Sequence, residues 1–237
     1  IIGETIIGNG CANMEGDHNT HGVPLPEEEI EQTKDKFGLP NKQFYVPQCV
    51  VKHFQERFDT LISNSFNWNS QLKKLRKGKV FNEQWSQIIE NKILDLELPE
   101  FEKGGSLATR KAFGVALEKF AEQIPHLIGG SADLEPSNYT GGFAKTYSDF
   151  QKDNRKGRNL AFGVREFPMA TILNGMALHG GIIPFGGTFL VFSDYARPAL
   201  RSAAMQEIRV IHEFSHDSFY VGEDGPTHQP VEHIMAL

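Results

Sequence analysis

The densest set of groups able to do chemistry lies in Gly222-Glu223-Asp224-Gly225-Pro226-Thr227-His228-Gln229-Pro230. Glycines and prolines bracket a carboxylate and an imidazole, so both are held by a stiff loop. Fixed acid and base groups are what proton transfer at carbohydrate hydroxyls needs. His216 lies just upstream, and the same stretch can carry two imidazoles into one cleft. The competing description is a structural Pro/Gly turn.

Four further stretches carry candidate groups. His212-Glu213-Phe214-Ser215-His216 matches H-E-x-x-H, a zinc-hydrolase pattern that works only on a helix. Here Ile208 to Phe214 alternates like a strand, and Asp217, Ser218 and Gly222 break any helix. On a strand, residues four apart are separated by roughly 13 Å, too far to share one ion. No metal ligand is therefore predicted in this chain. Gly129-Gly130-Ser131-Ala132-Asp133 continues to Ser137-Asn138, a strand-end loop whose glycines admit a ligand and whose polar groups can bind it. Ordinary turns share that composition. Glu166 sits where a strand gives way to a helix. Either it serves the helix dipole, or it hydrogen-bonds a ligand with its pKa raised by desolvation. In Thr188 to Tyr195 the rings of Phe189, Phe192 and Tyr195 recur at i, i+3 and i+6 on an expected helix. They can pack a core or wall a pocket for a flat heteroaromatic ring.

These groups need elements to position them. A strand is expected at Thr5 to Ile7, then a Gly/Asn/His-rich loop, and a helix opened by Pro26 and closed by Gly38-Leu39-Pro40. Helical spacing covers Val50 to Asn64 and again Gln71 to Leu96, where the cluster Lys73, Lys74, Arg76, Lys77 and Lys79 reads as a solvated face. Turn residues from Leu98 to Gly105 mark a domain boundary. Beyond it, helix and short apolar strand alternate. A helix from Ser106 to Glu122 precedes a strand at His126 to Ile128. Leu160 to Val164 forms a strand before a helix from Glu166 to Leu178. Gly181 to Phe185 is a strand followed by a helix from Thr188 to Met205, and Arg209 to Phe214 is the last strand. That alternation predicts an α/β fold with a parallel sheet flanked by helices. Ligands of such sheets sit beyond the strands' carboxyl ends, where Ser131, Asp133, Glu166, His216, Asp224 and His228 cluster.

Composition narrows the function classes. The 237 residues carry a net charge of −6, which argues against an electrostatic surface for nucleic acid or anionic membrane. No apolar run approaches the roughly 20 residues of a membrane span. Two cysteines, Cys11 and Cys49, cannot build a disulfide framework and fit a reducing compartment. With 18 Phe, 5 Tyr and 2 Trp the chain has ample surface to bury against chain entropy. Both ends read as cut inside an element, which suggests part of a longer protein.

In order along the chain, His21-Gly-Val-Pro-Leu, Leu107-Ala-Thr-Arg110-Lys, Gly130-Ser-Ala-Asp133-Leu, Val164-Arg-Glu166, Thr188-Phe-Leu-Val-Phe and the Gly222 to Pro230 loop resemble transketolases. These thiamine-diphosphate enzymes move two-carbon ketol units between sugar phosphates. The resemblance implies a thiamine-diphosphate-binding fold. Residues 1–40 would be the tail of the diphosphate-binding domain, 41–103 a helical inter-domain linker, and 104–237 most of the pyrimidine-binding domain. Glu166 matches the carboxyl that bonds the aminopyrimidine ring and so promotes removal of the thiazolium proton. Phe189, Phe192 and Tyr195 match the rings around the pyrimidine, and Asp133 a residue near the thiazolium. Arg110 and Ser137 match the substrate-phosphate clamp. His21, His216, Asp224 and His228 match groups that contact sugar hydroxyls, with His228 the proton-transfer group.

Phe167 departs from the family's common His, and Phe219-Tyr220 replaces small residues in a way that could narrow the substrate channel. The Gly-Asp-Gly…Asn motif for Mg²⁺ and the diphosphate is expected upstream of residue 1. The resemblance also implies a cytoplasmic homodimer whose cofactor lies between domains of two subunits, so this segment alone should be inactive. Three alternatives stand beside it: a dihydroxyacetone or deoxyxylulose synthase, a non-catalytic thiamine-diphosphate-type interaction domain, and the zinc hydrolase.

Overall fold

A computed structural model describes residues 2–89 and 95–237. The chain divides into two compact units, Ile1–Lys73 and Lys74–Leu237.

In the first unit the expected helix forms as α1 (Glu27–Lys36), with Glu27, Glu28 and Glu29 in its first turn. Glu29 does more than suit the dipole. Its buried carboxylate accepts from the Asn13 and Met14 backbone N–H groups at 2.7 and 3.1 Å and from Asn13 Nδ2 at 3.0 Å. Those donors hold the carboxyl below its ordinary range. Thr33 Oγ1 accepts from Ala12 N–H and Lys36 donates to the Cys11 carbonyl, so one face of α1 fixes the Gly/Asn-rich loop. Thr5 to Ile7 does not form the expected strand, because a strand needs a paired edge and none adjoins it among the described residues. Helix α2 (Gln48–Leu75) runs through the expected break after Asn64. Asn and Ser cost only a few tenths of a kcal/mol each in a helix, too little to end one that repeats apolar residues on both sides.

The second unit begins with α3 (Lys79–Ile88), entered through Gly78. The rest of the helix expected up to Leu96 includes 90–94, which lie outside the described residues. The α/β pattern follows as α4 (Thr109–Gln123), β1 (Leu127–Ser131), α5 (Glu135–Asn138), α6 (Gly141–Tyr147), α7 (Glu166–His179), β2 (Ile183–Phe189), α8 (Ser193–Met205), β3 (Ile211–Ser215) and α9 (His233–Ala236). The three strands are parallel in the order β1-β2-β3, the expected fold class. Helices cover both faces. On one, Leu117 and Ala121 of α4 pack with Leu127, Phe143 and Phe185. On the other, Met169 and Leu173 of α7 pack with Ala132 and Phe162. Phe143 and Phe185 are fully buried with ring centroids 4.9 Å apart, edge to face. Burial of each contributes about 1.5–3 kcal/mol.

Two expectations are corrected here. Leu160 to Val164 is not a strand: only Asn159 bridges to Gly129 and Asp149, and Gly163 then turns the chain with φ +66°. Arg165 seals that turn by donating to the Phe162 carbonyl. Thr188 to Tyr195 is not one helix either. β2 continues through Phe189, Leu190–Phe192 forms a 3-10 turn, and α8 starts only at Ser193. The β-branched Thr188 beside buried Phe189 favours the strand, and its register with β3 is sustained to Ser215.

Candidate functional site

The carboxyl ends of the strands set the site. Ser131, Gly187 and Glu213 lie in one row across the sheet, paired Ser131↔Gly187 and Gly187↔Glu213. A Cβ added at Gly187 would meet Glu213 Oε2 at 2.8 Å and Asn138 Nδ2 at 2.9 Å. Glycine at the centre thus leaves room for two polar side chains from either side.

Those side chains form a continuous chain of contacts. Asn138, fully buried in α5, places Nδ2 3.2 Å from Ser131 Oγ and Oδ1 2.6 Å from Ser215 Oγ. Ser215 Oγ is 3.0 Å from His216 Nδ1, and His216 Nε2 is 3.3 Å from Arg110 Nη1. Arg110, in the first turn of α4, also donates to the Ser137 carbonyl at 3.2 Å. Burial and then the Arg110 charge lower the His216 pKa, keeping the ring neutral near pH 7. Its backbone turns at φ +53°, which swings the imidazole off the end of β3.

The ring of His216 stacks on Phe189 with centroids 3.7 Å apart. Phe189 stacks in turn on Phe192 at 5.7 Å, and His228 presents its edge to Phe192 at 5.2 Å and to Phe189 at 6.0 Å. Tyr195 continues the row 6.1 Å from Phe192 but stands largely exposed. His228 Nδ1 lies 2.9 Å from Thr227 Oγ1 inside the Pro226–His228 3-10 turn. Arg110, Glu213, His216, Tyr220 and Asp224 line a cavity of about 820 Å³. Asp224 and Asp217 act on His216 electrostatically, each favouring its protonation.

The remaining predicted residues have definite places. Glu166 is buried as the first residue of α7. Asp133 follows β1 at φ +64°, in the exposed turn that Ser131 Oγ closes by accepting from Leu134 N–H at 3.0 Å. Ser137 meets Arg110 through its carbonyl. His21 lies in the first unit, exposed after the His18–Thr20 turn. Of the two bulky departures, Tyr220 lines the cavity and Phe219 points out, 93% exposed.

The H-E-x-x-H stretch runs along β3 into the turn at His216, so its histidines are not one helical turn apart. His212 is buried and its pKa is pushed down by desolvation. Among the described residues one group, Asp194, Glu232 and His233, brings candidate metal ligands within 4.8 Å of one another. There His233 Nε2 is paired with Asp194 Oδ2 at 3.1 Å, and Arg197 holds the other carboxylate oxygen, which describes an ion-pair cluster.

Sequence reasoning missed three residues of the site. Asn138 stands in the polar loop after β1 and Ser215 inside the H-E-x-x-H stretch, and neither spacing shows that their side chains meet. In the sequence Glu213 stands out only as part of the H-E-x-x-H pattern. Desolvation, then repulsion from Asp217, pushes its carboxyl up to about 8 against partial relief from Arg110. Its Oε2 is buried without a hydrogen-bond partner.

Known proteins similar to this chain are transketolases. The family "Transketolase, thiamine diphosphate binding domain" matches residues 1–93, and "Transketolase, pyrimidine binding domain" matches 105–237. The chain is 43% identical over 242 residues to a transketolase of Aquifex aeolicus, covering 98% of this chain and 34% of that one. A transketolase of Geobacillus stearothermophilus is 44% identical over 240 residues, covering 99% and 36%. Among solved structures, a transketolase from Leishmania mexicana is similar with a TM-score of 0.87 and 41% identity, covering 98% and 35%. One from Pichia stipitis in complex with sedoheptulose 7-phosphate has a TM-score of 0.84 and 35% identity, covering 97% and 35%. The chain spans about a third of the length of the relatives it matches. No described helix is long and apolar enough to cross a membrane.

Proposed function

From the premise that this chain belongs to the transketolase family, we propose that it supplies the pyrimidine-side half of a thiamine-diphosphate site. The whole protein then transfers a two-carbon ketol unit from a ketose phosphate to an aldose phosphate. The observation that carries this is a cavity lined by Arg110, His216 and Asp224, with the His216 ring stacked on Phe189 and Phe189 on Phe192, and His228 edge-on to both phenylalanines. A guanidinium fork suits a phosphate, imidazoles and a carboxylate suit sugar hydroxyls, and a ladder of rings suits a flat heterocycle. The similarity to the transketolases named above favours this reading over a dihydroxyacetone or deoxyxylulose synthase. The family match likewise favours the enzyme over an interaction domain.

The residues present fit thiamine diphosphate: an aromatic row, its last ring open to solvent, and a buried carboxyl at a helix start. Phe189, Phe192 and Tyr195 would hold its pyrimidine ring, Glu166 would hydrogen-bond a ring nitrogen, and Asp133 would lie toward the thiazolium. Bound there, the cofactor supplies the nucleophilic carbon that carries the two-carbon unit. Arg110 and Ser137 clamp the substrate phosphate. His21, His216 and Asp224 orient hydroxyls, and His228, held by Thr227, moves the hydroxyl proton during carbon–carbon cleavage. Mg²⁺ and the diphosphate would be held by a Gly-Asp-Gly…Asn motif outside this segment.

Residues 1–40 would then end the diphosphate domain, 41–103 link, and 104–237 form the pyrimidine domain of a cytoplasmic homodimer. The test is ketol transfer between a ketose phosphate and an aldose phosphate by the full-length protein with cofactor and Mg²⁺. Activity that requires both supports the proposal. Absence of transfer, with the cofactor bound, would refute it in favour of a non-catalytic domain.

A further inference from the structure

Glu213 is a buried carboxyl that the proposed chemistry leaves unused. Its side chain lies across Gly187, where an added Cβ would stand 2.8 Å from Oε2, and that oxygen has no hydrogen-bond partner. A carboxylate kept from water without a donor is costly, so the neutral acid is the favoured form. The same residue shares a cavity wall with Arg110. Arg110 Nη1 lies 3.2 Å from the Ser137 carbonyl and 3.3 Å from His216 Nε2, and Cζ sits 5.6 Å from the centre of the Tyr139 ring. None of these partners is an anion, so the guanidinium keeps its charge for a ligand. Glu213 is close enough for that charge to act on it. Few charged groups face Glu213. Arg110 of α4 favours its ionised form, and Asp217 in the loop after β3 opposes it. In the same row β1 and β2 offer Ser131 and Gly187, and α5 offers Asn138, all uncharged. Among the described residues, His216, Tyr220, Glu223 and Asp224 complete the titratable lining of the cavity.

We propose that Glu213 is a positioning residue for the phosphate clamp: as a neutral acid it leaves the Arg110 guanidinium to the substrate phosphate, and as a carboxylate it competes with that phosphate for the same guanidinium. This role rests on the reading of Arg110 as the clamp. An ionised Glu213 opposes the phosphate twice, by drawing on its partner and by like-charge repulsion across the cavity. Desolvation, then Asp217, raises the carboxyl to about 8, so the clamp is intact at neutral pH and weakens as pH rises through that value. Arg110 itself stays charged throughout. The loss is therefore partial, about three- to ten-fold in affinity, less than removal of a whole charge-assisted hydrogen bond would cause.

Calorimetric titration of the full-length protein, loaded with cofactor and Mg²⁺, tests this with inorganic sulfate as the probe. Sulfate is a tetrahedral dianion whose charge is constant between about pH 7 and pH 9.5, so only the protein titrates. Wild-type affinity should fall about three- to ten-fold across that interval. Glu213→Gln, and Glu213→Met as a second neutral side chain of similar length, should each hold one affinity at both ends of it. A wild-type affinity that stays level, or variants that lose affinity in parallel with it, overturns the proposal. Sulfate affinity that Arg110→Ala leaves intact would overturn Arg110 as the clamp, and the role of Glu213 with it. Sulfate binding needs no turnover, so its result is independent of whether ketol transfer is observed.

Discussion

Replacing Glu213 by glutamine should make the protein more stable in neutral and alkaline solution, and the gain should depend on pH. The carboxyl is buried on β3 with Oε2 unpartnered, and burial with the nearby Asp217 raises its pKa from 4.5 to about 8. The folded state thus holds a proton that the unfolded chain releases near its ordinary value. Below pH 4.5 both states are protonated and Glu213 costs nothing through titration. As pH rises toward 8, the cost of keeping that proton grows, and above 8 it becomes the constant cost of a buried charge. The full span corresponds to roughly 5 kcal/mol, an upper bound because water can reach the site in the ionised form. Between pH 5 and pH 8.5 the wild type should lose roughly 4 kcal/mol relative to Glu213→Gln. Urea unfolding of both proteins at several pH values across that interval reads the difference directly. Parallel stability curves would refute the reasoning, because they would mean that Glu213 ionises alike in both states.

Three other outcomes are expected. Glu166→Gln in the full-length protein should lower turnover and the rate of cofactor C2 deuterium exchange by about ten- to a thousand-fold, since an amide is a poor proton donor; unchanged exchange would remove Glu166 from the site. Arg110→Ala should raise KM about ten- to a hundred-fold for phosphorylated sugars and far less for unphosphorylated ones, and equal losses would make Arg110 structural. Gly129→Ala should destabilise the second unit by about 1–3 kcal/mol or prevent folding, because its Cβ would fall against the Phe185 carbonyl oxygen; an unchanged melting temperature would contradict the packing at β1.

Much of the second unit was legible because its helices and strands obey different periods, and Gly or Pro punctuates the joins. α4, α7 and β3 fall within a few residues of their expected places. The misread stretches are those where one period imitates another. Phe189, Phe192 and Tyr195 share a helical spacing, yet a strand end, a 3-10 turn and a helix start place them in the same row. Leu160 to Val164 is apolar enough for a strand, but Gly163 and the Arg165 side chain spend its backbone groups on a turn. In the first case the deciding partner, β3, comes from a tertiary contact; in the second a local contact, Arg165 on the Phe162 carbonyl, wins over the apolar pattern.

The site divides along the same line. Groups whose chemistry is rare in a random loop, such as Asp224 and His228 between glycines and prolines, announce themselves. Asn138, Ser215 and Glu213 do not, because their meaning depends on strand register. Ser131 and Glu213 become neighbours only because Gly187 stands between them without a side chain, and Asn138 fills that gap from α5. A shift of β3 by one residue would turn Glu213 and Ser215 to the opposite face and take Ser215 away from Asn138. The register is held farther along the same face, where Phe185 packs with Leu117 and Phe143, and on the opposite face, where Met169 and Leu173 close over Gly186. The row of polar groups behind the cavity thus depends on core packing farther along β2, which no motif records.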